Sequence, residues 1–181
     1  MDQLTTLLLD AQRGDRDALE RFVAATHADV LDLCRYLGDS DNYEDLAQQT
    51  YERAVASLHR FRANGPARHW LLTIARRTCA DATRSRIRRR RLTERAVSVA
   101  LVERGGETDA MPTSDLDELI LRLQPDRRAA FVLTQITGLR YEEAAAVLGV
   151  PVGTIRSRVA RARVDLIAGG ELNQRLQRPT G

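Results

Sequence analysis

Thr154, Ser157, Arg158 and Arg161 fall on one side of a helix-forming stretch, and Arg156 and Arg163 fall on the other. Advancing about 100° per residue from Ile155 gives this grouping and sets Ile155, Val159, Ala162 and Leu166 on a core-facing apolar stripe. No acid falls among the polar positions. Small hydroxyls can meet base edges while guanidinium groups hold guanine or phosphate on either side, so the pattern suits a helix lying in the major groove of DNA. The plainer alternative is a solvated basic helix in an ordinary bundle.

Positioning such a helix requires a partner and a tight turn. Tyr141 to Leu148 reads as a short helix with Ala144 and Ala145 where two helices approach closely, and Gly149 supplies the turn. Val150 plugs that turn, Pro151 cannot extend the first helix, and the second runs from about Gly153 through Leu166. Tyr141 to Leu166 is therefore predicted to be a helix-turn-helix. Before it, Leu116, Leu119, Ile120 and Leu123 recur at helical spacing. Pro125 fits the first turn of a following helix that ends near Thr137 and is closed by Gly138.

The first half of the chain carries a different set of polar faces. From Asp17, the apolar residues Leu19, Phe22, Val23, Val30, Leu31, Leu33 and Leu37 predict an amphipathic helix, with Gly38 as a left-handed C-cap. Asp41 or Asn42 can cap the next helix, where Ala47, Tyr51, Ala54, Val55 and Leu58 form the buried face and Asp45, Gln48, Gln49 and Glu52 the exposed one. Asn64-Gly65-Pro66 marks a turn. A third helix from Pro66 puts Leu71, Ile74, Ala75, Thr78 and Ala82 inside and Arg76, Arg77, Arg84 and Arg86 outside, and its stripe fades into Arg88 to Arg91.

Gly105-Gly106, Pro112 and Thr113-Ser114 give residues 92–114 the composition of a linker. The expected architecture is all-α: two small helical domains joined by a flexible linker, the second containing the helix-turn-helix. Their bounds are 1–91 and 115–168, followed by a frayed tail over 169–181.

Composition supports a packed helical protein, with 43% hydrophobic, 29% charged and only 4% aromatic residues among 181, and no sheet is expected. Net charge is +3 and every basic residue is Arg, which suits bidentate phosphate and guanine contacts but equally reflects a GC-rich genome. The charge is sorted: eight Arg lie between Arg76 and Arg91 against Asp81 alone, and Glu103 to Glu118 is predominantly acidic. Cys34 and Cys79 stand far apart without a CxxC, so they read as core thiols rather than a zinc site or disulfide framework. His27, His59 and His69 are scattered, and neither catalytic residues, metal ligands nor a cofactor are expected. Met1-Asp2-Gln3 lacks the basic flank of a secretory signal, and no apolar run approaches the roughly 20 residues that span a bilayer. A cytoplasmic location away from membranes is the expectation.

Three strings now align with a known family. Gly153-Thr154-Ile155-Arg156-Ser157-Arg158 with Arg161-Ala162-Arg163, Asp45 to Tyr51 (DLAQQTY) and Trp70 to Arg76 (WLLTIAR) resemble the extracytoplasmic function (ECF) subfamily of bacterial sigma factors. The resemblance runs from about Asp15 to Leu166. It implies sigma region 4 in the second domain, with Thr154, Arg156, Ser157, Arg158, Arg161 and Arg163 meeting the minus-35 promoter element. It implies sigma region 2 in the first, with Asp45, Gln48, Gln49 and Glu52 docking on RNA polymerase core through the β′ coiled-coil; the β subunit is a further expected contact.

By the same resemblance, the loop and helix around Pro66 would capture the melted non-template strand of the minus-10 element. Phe61, Arg62, Asn64, His69 and Trp70 offer stacking, an amide and cations there, while Arg76, Arg77 and Arg84 track the backbone. For Trp70, packing is the stronger expectation. Arg77 stands where the family commonly carries Asn, which bears on minus-10 preference. Many relatives are held inactive by an anti-sigma factor, so such a partner belongs to the reading. The rivals are a free-standing helix-turn-helix regulator, which would bind duplex DNA without polymerase, and a nucleic-acid enzyme, which would need an acid and base pair or a metal cluster.

Overall fold

The computed structural model of the chain describes residues 1–38, 42–97 and 114–177, and every regular element among them is helical. Helix α1 (Gln3–Gln12) is an addition to the expectation, which starts the helical pattern at Asp17. Its signal is legible in retrospect: Leu4, Leu7, Leu8 and Ala11 share a face, and the Asp2 carboxylate accepts from the Thr5 amide at 3.0 Å as an N-cap. Helix α2 (Arg16–Leu37) starts the same way, with Asp15 accepting from the Ala18 amide at 3.0 Å.

Gly38 ends α2 but not in the left-handed conformation expected, since its φ is −93° and ψ −143°. Glycine is needed there for room instead. A Cβ would sit 2.3 Å from Leu46 Cδ1 and 2.5 Å from the Cys34 carbonyl oxygen. Asn42 stands at the cap of α3 (Tyr43–Ser57) without a side-chain capping bond, and Asp41 lies outside the described residues. The buried face of α3 is Leu46, Ala47, Thr50 and Ala54, so Val55, expected inside, is 48% exposed. A single 3-10 turn (Leu58–Arg60) leads to the loop before α4 (Ala67–Val97).

Helix α4 carries on past Arg91, so the first stretch of the expected linker is helical; residues 98–113 lie outside the described residues. In the second half, α5 (Asp115–Arg122) opens with a reciprocal Ser114/Asp117 capping box. Helix α6 (Pro125–Phe131) runs into a π turn (Val132–Ile136), and α7 (Tyr141–Leu148) and α8 (Val152–Gln177) complete the chain. The expected frayed tail is instead helical through Gln177, and α5 packs beside α8 with Leu119 against its Gly169–Gly170 segment.

The two halves touch directly, and α2 and α4 pack on α6, the π turn and α7. Buried residues of both halves belong to one hydrophobic cluster, from Leu33 and Leu71 to Val132 and Ala144. Three polar clasps cross the contact. Arg68 on α4 holds Asp29 of α2 through two bonds at 2.6 and 2.8 Å and also donates to the Thr137 carbonyl at 2.6 Å. Asp117 on α5 accepts from Arg35 at 3.0 Å and from the Tyr36 hydroxyl on α2. His69 Nε2 lies 3.6 Å from Glu143 Oε1 on α7.

Candidate nucleic-acid interface

The helix-turn-helix forms as its residues dictate. Gly149 caps α7 at φ +67° and ψ +38°, the left-handed region an L side chain disfavours, and the Val150 amide donates back to the Ala145 carbonyl at 3.1 Å. Ala144 is fully buried at the helix contact, and Ile155, Val159 and Ala162 of α8 are at most 1% exposed. Burying that stripe leaves Arg156, Ser157, Arg161 and Arg163 exposed, with Thr154 and Arg158 half-buried at the margins.

Two of these side chains have tertiary partners that helical periodicity does not reveal. Arg158 forms a 2.5 Å ion pair with Asp126 of α6, and Arg163 donates to the Gln135 side chain at 2.9 Å. Ser157 Oγ donates to the Thr154 carbonyl at 3.0 Å. Arg156 and Arg161 are exposed cations of the same face.

The second site gathers around the loop before α4. Phe61, Arg62, Asn64, His69 and Trp70 line one pocket of about 360 Å³, and Ala146 of α7 closes its rim. Phe61 is not the open stacking surface the sequence suggests: it is 6% exposed, with its ring centroid 5.2 Å from that of Trp70. Trp70 is half-buried, so it both packs and borders the pocket. Arg62 and Asn64 are exposed, and Ala63 between them takes a positive φ of +50°. The loop is held from below by α1, whose Gln12 amide donates to the Leu58 and Phe61 carbonyls at 2.9 and 3.0 Å. Thr5 accepts from the Ala67 amide at 2.9 Å, satisfying an orphan donor at the start of α4.

Burial pushes the His69 pKa below its ordinary value, against the pull of Glu143. Arg77 and Arg84 are exposed as expected, Arg84 bonded to Asp81 at 2.6 Å. Arg76, expected outside, is half-buried, and its Nε is buried without a hydrogen-bond partner. Its position turns it toward the contact between the halves, where it borders a cavity shared with Arg128 and Arg158.

Asp45, Gln48, Gln49 and Glu52 are all exposed along α3, and Gln48 donates to Glu52 at 3.0 Å. Asp45 and Gln49 border a groove of about 560 Å³ between α3 and α4, facing Arg86 and Arg88. Sequence reasoning passes over Thr5, Gln12, Asp29, Arg68, Asp117 and Glu143, whose roles depend on partners remote in the chain. Cys34 and Cys79 are the buried core thiols the sequence suggests, and folding brings their sulfurs to 3.8 Å across α2 and α4. No helix is long and apolar enough to cross a membrane among the described residues.

Comparison with known proteins matches residues 22–91 to the family Sigma-70 region 2 and residues 113–166 to Sigma-70, region 4. The ECF RNA polymerase sigma factor SigC of Mycobacterium tuberculosis is 45% identical over 173 residues, covering 94% of this chain and 92% of that protein. Among solved structures, CnrH in complex with the cytosolic domain of CnrY is similar at a TM-score of 0.70 and 28% identity, over 92% of this chain and 96% of that one. The sigma factor RpoE of Bartonella quintana, in complex with the anti-sigma factor NepR, follows at 0.66 and 26%, over 84% and 96%.

Proposed function

The chain belongs to the ECF RNA polymerase sigma factors, and from that premise we propose a division of labour among its exposed faces. The α8 face carrying Thr154, Arg156, Ser157, Arg158, Arg161 and Arg163 reads the minus-35 element as duplex in the major groove. The pocket of Phe61, Arg62, Asn64, His69 and Trp70 takes a base of the melted minus-10 non-template strand, and Arg76, Arg77 and Arg84 follow its phosphates. Asp45, Gln48, Gln49 and Glu52 accept hydrogen bonds and ion pairs from polymerase core on the β′ coiled-coil, with the β subunit a further partner. The protein supplies recognition and catalyses no reaction itself. It works in the cytoplasm, where polymerase and promoters are.

The observation that carries this reading is the pocket of about 360 Å³ that Phe61, Arg62, Asn64, His69 and Trp70 line together at the loop before α4. The docked halves add a condition. Minus-35 and minus-10 elements lie roughly 25 base pairs apart, about 85 Å at 3.4 Å per step, so the clasps between α2–α4 and α5–α7 must open on a promoter. Residues 98–113 can span at most about 55–60 Å between Val97 and Ser114, and the length of each domain covers the rest. An anti-sigma factor is a proposed partner, since the RpoE neighbour is seen bound to one. A free-standing regulator is not favoured.

In vitro transcription with purified core polymerase on a library of upstream sequences tests the reading. Transcripts that depend on this chain and share spaced minus-35 and minus-10 elements are expected; silence across a well-covered library overturns it.

A further inference from the structure

We propose that the cavity between the docked halves binds a nucleoside polyphosphate, which closes the two halves on each other. The cavity has a volume of about 550 Å³, within the range of about 300–1,000 Å³ typical of small-ligand sites. It exists only because the halves touch: Arg76 comes from α4, Arg128 from α6 and Arg158 from α8.

Its electrostatics ask for an anion. Among the described residues, two buried side-chain polar atoms lack a hydrogen-bond partner, Arg76 Nε and Arg128 Nε, and both residues border this cavity. An unpaired buried guanidinium donor costs free energy that an anionic acceptor recovers. Arg128 donates through Nη1 to the Leu121 carbonyl at 3.0 Å, and burial alone pulls its pKa below the ordinary value. Arg158 is partly neutralised by Asp126, the acid on the wall, whose side chain is 75% exposed. Arg84, also on the wall, is already bonded to Asp81. Arg86 is on the wall too and has a partner of its own, so Arg76 and Arg128 supply the unpaired buried donors.

Much of the remaining wall is apolar. Leu37, Leu148 and Val150 offer a surface for a planar ring beside the guanidinium groups. Phosphates on the cations and a base on the apolar wall make a nucleoside di- or triphosphate the fitting class, rather than bare phosphate. A ligand that binds only the docked form shifts the population toward it. It would also withdraw Arg76 and Arg158 from DNA, a consequence that rests on the promoter reading above; binding itself does not.

The test is titration calorimetry of the full chain with GTP, ATP and inorganic pyrophosphate as separate arms, alongside fluorescence energy transfer between dyes in the two halves. Saturable one-to-one binding of a nucleotide is expected, at least tenfold tighter than pyrophosphate, with transfer efficiency rising on saturation. Arg128→Gln should weaken it tenfold or more. Ala129→Leu, which fills the cavity from α6 while keeping every charge, should do the same, so the proposal stays open to refutation if the first variant fails to fold. Both variants should support ligand-free transcription with core polymerase. Absence of saturable binding, equal affinity for pyrophosphate, or binding unchanged in both variants overturns the site. Loss of transcription in chains that still bind nucleotide would count against the promoter reading instead.

Discussion

At the scale of single residues, the recognition helix separates into free and engaged cations. Arg161 is exposed, whereas Arg158 is committed to Asp126 and half-buried. An exposed guanidinium reaches a base edge or phosphate without first breaking an internal bond, so Arg161 is the cleaner probe of groove reading. Arg161→Ala should weaken binding of the holoenzyme to a minus-35 duplex by about 1–3 kcal/mol, or roughly 5- to 150-fold. Fluorescence anisotropy reads the DNA term, and a parallel measurement of core polymerase affinity should show no change. Equal loss in both assays would remove the division of labour. The acidic face on α3 offers the converse: Gln48→Ala with Glu52→Ala should weaken polymerase binding several-fold, and a wild-type affinity for core would argue that another face docks.

At the scale of elements, α1 shows how a short helix supports a site it does not enter. Thr5 is 3% exposed, donates to the Asp2 carboxylate at 2.6 Å and accepts from the Ala67 amide at the start of α4. Thr5→Val keeps the shape and removes both bonds, leaving a buried amide unpaired at a cost of about 1–3 kcal/mol. The midpoint of urea unfolding should fall accordingly; an unchanged midpoint would show that α1 is not coupled to α4. Gly38 tests a different mechanism. Gly38→Ala should destabilise by steric conflict with Leu46 and the Cys34 carbonyl, lowering Tm, and a neutral or raised Tm would mean the α2–α3 corner yields easily. A left-handed requirement, as at Gly149, would have made alanine costly for a backbone reason instead.

At the scale of the whole molecule, folding stability responds to pH through His69. The groups facing it are Glu143 and Arg140 from the α7 end, Arg68 on α4 and Asp2 at the start of α1. Burial lowers the His69 pKa below the ordinary 6.5, and Arg68 and Arg140 act in the same direction against Glu143 and Asp2. The Arg140 bond in turn lowers the Glu143 pKa, so that carboxylate stays ionised through this range. The unfolded chain therefore takes up a proton at higher pH than the folded chain. The His69 contribution to folding stability is fully present above about pH 6.5 and is lost as pH falls below it. The midpoint of urea unfolding should drop from pH 7.5 to 5.5, with His69→Gln flattening the profile; a rise on acidification would reverse the sign and refute the assignment.

What could be read from residues alone depends on neighbours in the chain. Leu-Gly-Val-Pro sets the turn, the stripe of Ile155, Val159 and Ala162 sets which side of α8 is buried, and the exposed face of α3 follows from the spacing of Ala47 and Ala54. Those are local periodicities of 3.6 residues, and they carry the all-α fold and most of the candidate DNA face. The structure alone decided the pairings between remote residues: Arg158 with Asp126, Arg68 with Asp29 and Thr137, Tyr36 with Asp117, Cys34 near Cys79. Periodicity says which side of a helix turns inward but not what it meets. The docking of the two halves is such a meeting, and with it come the burial of Arg76 and the cavity beside it.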